Sequence, residues 1–284
     1  MLCGANVMIK PDQISFNANS SAKRCLEYRK RILDISQKVS ALHAAPAFSC
    51  VELTDVIYNG LMRIGLGEDA FHDIFLMSKG HGCMTQYAVL EKIGVLSTDE
   101  LEMYCTPEGI LGAHPDRGNP GIVASTGSLG HGMGLAVGMA HAESILNQDR
   151  NIYLILSDGE LQEGSSWEAA MMAANLKLKN LIALVDFNDF GGLERMSEGH
   201  QAFQPLKAKF EAFGWEAVEV NGHNASAIHA AVSSRSATKP FVLIGHTVKG
   251  KGVSYMENVP IWHYRSPNKQ EYLQAVGELK EILS

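Results

Sequence analysis

The chain has 284 residues, 46% of them hydrophobic, enough apolar material for a substantial core at this length. Lys and Arg number 24 against 31 Asp and Glu, and the resulting formal charge of −7 argues against a nucleic-acid polyanion as partner. A small phosphorylated ligand stays open, because a few local donors can bind a phosphate on an acidic protein.

In chain order, residues 1–20 read as a polar lead-in. Leu26, Ile32, Leu33, Ile35 and Val39 recur among charged positions, which predicts an amphipathic helix over 22–40. A second helix is expected over 50–63, then a turn-rich stretch after Gly65 and Gly67 that runs to Ser78-Lys79-Gly80-His81-Gly82. Residues 84–94 and 98–105 read as helices, and Thr106 to Gly127 as a loop rich in Pro and Gly that contains His114. Ile152 to Leu156 and Leu181 to Val185 are continuous apolar runs, as in strands buried on both faces. Helices are expected over 164–178, 202–213 and 224–236, with extended segments at Ala217–Val220 and Phe241–Ile244. This alternation predicts α/β architecture: a doubly wound, mostly parallel sheet with helices on both faces. Residues 21–284 are read as one such domain, with a helical tail at 268–283.

The five cysteines, Cys3, Cys25, Cys50, Cys83 and Cys105, form no CxxC pair and are odd in number. No disulfide framework or zinc site is expected, and a reduced, cytoplasmic setting fits. Met1–Ser20 has no apolar run of signal-peptide length, and no segment reaches a membrane span.

Chemistry concentrates where the first apolar run ends, at Ser157-Asp158-Gly159-Glu160. In an open parallel sheet, ligands sit at the carboxyl ends of strands. Gly159 lets backbone approach a phosphate, and the helix that follows offers free N–H groups and a favourable dipole. Asn188 stands thirty positions after Asp158, in Asp186-Phe187-Asn188-Asp189-Phe190 at the end of the next run. A carboxylate, an amide oxygen and a backbone carbonyl are donors suited to Mg²⁺ or Ca²⁺. Taken alone, Asp-Gly after a strand is usually an ordinary turn or helix cap; the paired Asn raises the odds of a site. No GxGxxG follows a strand, which counts against dinucleotide binding.

These residues match the thiamine-diphosphate signature, a GDG followed about thirty positions later by Asn, with Ser157 in place of the first Gly. Further segments resemble the transketolase family. They are Ser78-Lys79-Gly80-His81, Gly112-Ala113-His114-Pro115, and Ser125-Thr126-Gly127-Ser128-Leu129-Gly130-His131-Gly132, where His131 stands at a usual Gln. Val248-Lys249-Gly250-Lys251-Gly252-Val253 with Trp262-His263, Phe210 to Trp215, and Asn221-Gly222-His223 match as well. The likeness runs in order from about residue 20 to about residue 265.

The resemblance implies a metal held by Asp158, Asn188 and the backbone oxygen of Phe190. It implies cofactor contacts from His81, Gly127, Ser128, Leu129, Gly159, Glu160, Glu163, Asn188 and His263. His43, His81, His114 and His263 become the catalytic histidines, and imidazoles suit donation to a developing alkoxide and proton movement near neutral pH. His43 occupies the place of the histidine in the family's G-H-P-G-G segment, but its flanking glycines are gone, so a reshaped substrate pocket is expected. Glu163 corresponds to a residue that couples two cofactor sites across an interface, and by its position alone is a helix-start carboxylate.

The activating glutamate and the arginines that grip a sugar phosphate come from a separate pyrimidine-binding domain in this family. The resemblance therefore implies one half of a split transketolase: thiamine diphosphate with Mg²⁺ or Ca²⁺, a C-terminal partner subunit, assembly as a heterotetramer, and two-carbon ketol transfer from a ketose to an aldehyde. The alternatives are a component of a 2-oxo-acid decarboxylase or dehydrogenase and a non-catalytic cofactor-binding subunit. His141, His200, His223, His229 and His246 read as structural, His72 is undecided, and His131 reads as packing or diphosphate contact. Met171-Met172 reads as core or subunit contact. Lys249-Gly250-Lys251 reads as a phosphate contact or, slightly favoured, a solvated turn.

Overall fold

The computed structural model describes residues 16–39, 42–63 and 72–282. Most of the expected lead-in, Cys3, and the Gly65 and Gly67 turns lie outside the described residues.

Five strands run parallel: β1 (Ile74–Met77), β2 (Ile152–Ser157), β3 (Leu181–Phe187), β6 (Glu216–Asn221) and β7 (Phe241–His246), in spatial order β1-β2-β3-β7-β6. Between β3 and β6 a two-residue hairpin forms from β4 (Phe190–Gly191) and β5 (Glu194–Arg195). The α/β expectation holds. β2 and β3 are apolar along nearly their whole length because both faces are covered. With the two-residue period of a strand, Tyr153 and Ile155 point to one apolar core, and Ile152, Leu154 and Leu156 to the other.

The first core is covered by α1 (Ala18–Ser36), α2 (Ala44–Ser49), α3 (Val51–Val56), α4 (Cys83–Lys92), α10 (Ala225–Ser233) and α11 (Lys269–Glu281). α5 (Thr98–Glu102) packs beside α4. The second core is covered by α6 (Gly132–Ile145), α7 (Gly164–Asn175) and α9 (Leu206–Phe213). A short α8 (Met196–Gly199) follows β5.

Local chemistry explains the boundaries. Ser97 and Asn268 head α5 and α11 with capping boxes completed by Glu100 and Glu271. Asn224 caps α10 through Ala227 N–H at 3.0 Å. Three expectations need correction. Ile74–Met77 is a strand, not part of a turn-rich stretch. The helix expected over 50–63 is α3 running into a wider π turn at Ile57–Leu61, and α2 precedes it. Helix α9 begins only at Leu206, since Pro205 ahead of it has no N–H to donate.

Candidate active site

Every strand of the main sheet ends on the same side, and the residues singled out above follow those ends. Met77 leads to Lys79 and His81, Ser157 to Asp158, Phe187 to Asn188, and His246 to Lys249. The register pairs Ser157 with Asp186. Asp158 and Asn188 therefore leave adjacent strands, one and two positions beyond that pair.

Beneath this end lies a buried ion pair. Lys79 and Asp186 are fully buried and joined by a short contact between Nζ and Oδ2. Ser49 Oγ donates to Asp186 at 2.5 Å, Thr247 Oγ1 donates to its other oxygen, and Lys79 also donates to the Pro46 carbonyl at 2.9 Å. Burial alone would raise the Asp186 carboxyl, but the Lys79 ammonium together with the Ser49 and Thr247 hydroxyls outweighs it and holds the group below its ordinary value. Asn188 Nδ2 donates to Asp186 Oδ2 at 3.2 Å, while Asn188 Oδ1 accepts from Phe190 N–H at 3.1 Å, so the pair orients this amide.

Asp158 is also fully buried, accepting from Gly159 N–H at 2.9 Å and Asp189 N–H at 2.6 Å. Burial, and then the charge of Asp186, push its carboxyl up to about 7. The nearby Lys79 ammonium is already taken by Asp186, so Asp158 is a carboxylate short of a cation. A Cβ on Gly159 would stand 3.0 Å from the Phe190 carbonyl oxygen, so the glycine brings that oxygen close to the Asp158 turn. The donors fit a hard divalent cation: one carboxylate, an amide oxygen and a carbonyl, with a diphosphate able to supply further oxygens. Among the described residues no three His, Cys, Asp or Glu side chains converge as a metal cluster.

Above these groups opens a cavity of 390 Å³ lined by His43, His81, His114, Gly127, Leu129, Gly159, Glu163, Asn188, Phe190, Lys249, His263 and Tyr264, among others. Two glycines bring the histidines together. A Cβ on Gly80 would lie 2.6 Å from Gly127 Cα, and one on Gly127 would lie 2.6 Å from His114 Cδ2. Gly127 has φ +125, which a residue with a Cβ resists. Thr126 Oγ1 ties this crossing to β1 through the Met77 carbonyl at 2.6 Å.

Ring centroids of His43 lie 6.0 Å from His81, 6.3 Å from His114 and 5.5 Å from His263, and His81 lies 5.2 Å from His263. With alanines in place of flanking glycines, α2 begins at Ala44, directly after His43. The ring makes no cap; its Nδ1 sits 2.7 Å from the His263 carbonyl, which only accepts, so Nδ1 carries the proton and Nε2 is an acceptor. Lys249, 2% exposed, donates to the Gly192 carbonyl at 2.8 Å and sits 2.8 Å from His263 Nδ1. As the Lys249 ammonium donates there, His263 Nε2 carries the proton. Burial, then the Lys249 charge, lower His263 to about 3, while burial, then Lys79, lower Lys249 to about 8. Burial lowers His43 as well, and burial with Lys79 takes His81 well below its ordinary value. His43, His81 and His263 are thus neutral imidazoles over cationic lysines.

Some sequence-named residues sit elsewhere. Glu160 lies under the cavity, accepting from Ser78 Oγ and from Gly130 N–H at 3.0 Å, and ties the two loops together. Ser128 is exposed, outside the lining. His131 is exposed, with Nδ1 3.2 Å from the Leu129 carbonyl. His223 accepts from Val248 N–H at 2.8 Å and donates to Glu52 at 2.8 Å, steadying the segment that carries Lys249. Lys249 is no solvated turn, and Tyr264, whose ring packs 4.4 Å from His263, was not foreseen.

Residues 21–275 match the family described as Transketolase, thiamine diphosphate binding domain. An apulose-4-phosphate transketolase subunit of Phocaeicola vulgatus is 37% identical, covering 89% of this chain and 91% of that protein. A 6-deoxy-6-sulfo-D-fructose transketolase subunit of a Clostridium species is 34% identical, covering 89% and 94%. The transketolase structure of Campylobacter jejuni superposes with TM-score 0.86 at 26% identity, covering 93% of this chain, which spans 43% of that longer one. By its matched length, its sheet and its relatives, the chain belongs to the transketolase family, as a thiamine-diphosphate-binding domain.

Proposed function

We propose that this chain is the cofactor-binding subunit of a two-component transketolase, moving a two-carbon ketol unit from a ketose donor to an aldehyde acceptor. The observation that carries this reading is one cavity lined by Gly159, Asn188 and Phe190, next in chain to the buried Asp158, and by His43, His81, His114 and His263. Relatives named as transketolase subunits over nine-tenths of their length support a partner chain; the proposal takes it as a C-terminal subunit with the pyrimidine-binding domain, in a cytoplasmic heterotetramer.

In this reading Asp158, Asn188 and the Phe190 carbonyl hold Mg²⁺ (or Ca²⁺), and Gly159 and Leu129 flank the diphosphate. When bound, thiamine diphosphate supplies the carbon nucleophile for ketol transfer. This chain's own part is to bind, orient and move protons. The His263 Nε2–H donates to an oxygen that gains negative charge, and the His43 Nε2 lone pair takes a proton from a donor hydroxyl. Neutral imidazoles suit both tasks, and burial with neighbouring lysines keeps them neutral at pH 7.

Calorimetric titration of thiamine diphosphate with Mg²⁺, into this chain alone and into its mixture with the neighbouring C-terminal subunit, tests the reading. Tight binding in the mixture, lost in Asp158→Ala, is expected. Absence of binding in both overturns the cofactor assignment.

A further inference from the structure

The opposite end of the sheet carries a second cavity, of 670 Å³. Four cations line it, Arg150, Lys177, Lys179 and Arg235, and Asp149 is the one carboxylate among its lining residues. Asn151 and Asn180 line it too, each standing directly before a strand, β2 and β3, whose far ends lead to Asp158 and Asn188. At about 3.3 Å per residue, the six residues of β2 put roughly 20 Å between this cavity and the candidate active site. The charges here are poorly matched within the chain. Asp149 is engaged by Arg63 at 2.6 Å, which does more than Lys179 to hold its carboxyl below the ordinary value. Arg235 donates to neutral oxygens, the Val232 carbonyl at 3.0 Å and Asn151 Oδ1 at 3.3 Å. Arg150 lies 3.8 Å from Glu143, and its Nε and Glu143 Oε2 are both buried with no hydrogen-bond partner among the described residues. The result is a positive concavity on a chain whose formal charge is −7.

A cation just past a helix C-terminus is favourable in any case, because that end carries partial negative charge. This accounts for each position singly: Arg150 follows α6, Lys177 and Lys179 follow α7, and Arg235 follows α10. It does not account for their convergence, since three separate helices deliver the four cations to one hollow, where Asn147, Gln148 and Asn151 add neutral polar groups. We propose that this cavity is a second ligand site, which takes a small molecule carrying two phosphate groups. Its volume lies within the roughly 300–1,000 Å³ of small-molecule sites. A phosphate ester bears about −1.5 to −2 at neutral pH, so two of them match four cations, and guanidinium groups on two sides can each grip phosphate oxygens. A single carboxylate would leave most of the positive charge unmatched. The proposal stands apart from the ketol-transfer reading and needs neither cofactor nor partner chain.

The test is calorimetric titration of inorganic tripolyphosphate into the full chain in metal-free buffer, with wild type, Lys177→Asn/Lys179→Gln and Asp158→Ala compared. Wild type is expected to bind with Kd below about 1 mM, more weakly as salt rises. The lysine pair variant is expected to lose roughly 10-fold or more in affinity. Its own thermal midpoint is expected to stay unchanged, because both lysines are exposed and Asn tolerates the φ of +52 at Lys177, which separates lost binding from lost folding. Asp158→Ala is expected to bind as wild type does. Hydrogen exchange with tripolyphosphate present should slow over residues 144–151 and 177–180. No binding by wild type, or equal affinity in the lysine pair variant, overturns the proposal. Affinity lost in Asp158→Ala, with slowed exchange around residues 158–163 instead, places the anion at the cofactor end and also overturns it. A short single-stranded oligonucleotide that displaces tripolyphosphate at lower concentration assigns the surface to nucleic acid and overturns the small-molecule assignment.

Discussion

At the scale of single residues, the site depends on which charges are buried and with whom. Lys79 and Asp186 are both enclosed, so removing one partner strands the other. Lys79→Met is expected to cost about 3–5 kcal/mol in denaturant unfolding, and the double variant Lys79→Met/Asp186→Leu to recover part of it; equal losses would show that the pair is not coupled. His263 gives a pH signature. Its native imidazole titrates near 3 against an ordinary 6.5, so the unfolded chain binds more protons between those values. Its contribution to stability is present above 6.5 and is lost as pH falls towards 3, with a slope of up to about 1.4 kcal/mol per pH unit. Unfolding measured at pH 7, 6, 5 and 4 should show a larger loss in wild type than in His263→Asn; parallel curves would contradict the burial described for this ring. Asp158, Asn188, His81 and His263 were legible because they stand in spaced motifs. Lys249 was not, because Lys-Gly-Lys looks symmetrical. Gly250, at φ +80, turns the chain so closely against Met256 that a Cβ would lie 2.5 Å from its carbonyl oxygen, and the bend sends Lys249 inward.

At the scale of elements, continuous apolar runs made β2 and β3 plain, whereas β1 is only four residues long and ends in the polar Ser78-Lys79 step. Short strands carry too little periodicity to separate from a turn-rich stretch. The broken helix over 44–61 was hidden for another reason: its residues are buried almost throughout, so no polar face marks where one helical piece gives way to the next. The glycine crossing is the element most sensitive to change. Gly127→Ala is expected to cost about 1–3 kcal/mol, from a positive φ and a clash with the His114 ring. Calorimetric unfolding checks the cost, and histidine NMR should show the His114 resonance displaced; an unshifted spectrum would mean that the loop relaxes freely.

At the scale of the whole molecule, β3 lies between β2 and β7, with Leu181 to Val185 wholly enclosed by the two cores. Its amides are expected to exchange with deuterium only through global unfolding, and those of the edge strand β6, which is partly exposed, to exchange sooner; mass spectrometry of exchange would reveal the reverse order if the sheet opened from its centre. A parallel sheet covered on both faces follows from the alternating pattern of the sequence, but the strand order does not, and which loops cross over the strand ends depends on contacts such as Gly80 against Gly127 that no local period encodes. The strand register has a consequence for how such a protein can change through descent. Asp158 and Asn188 take their separation from paired strands, while His43 and His114 ride on connecting segments. Those segments can therefore be lengthened, shortened or rewritten while the paired strands keep Asp158 and Asn188 at a fixed separation.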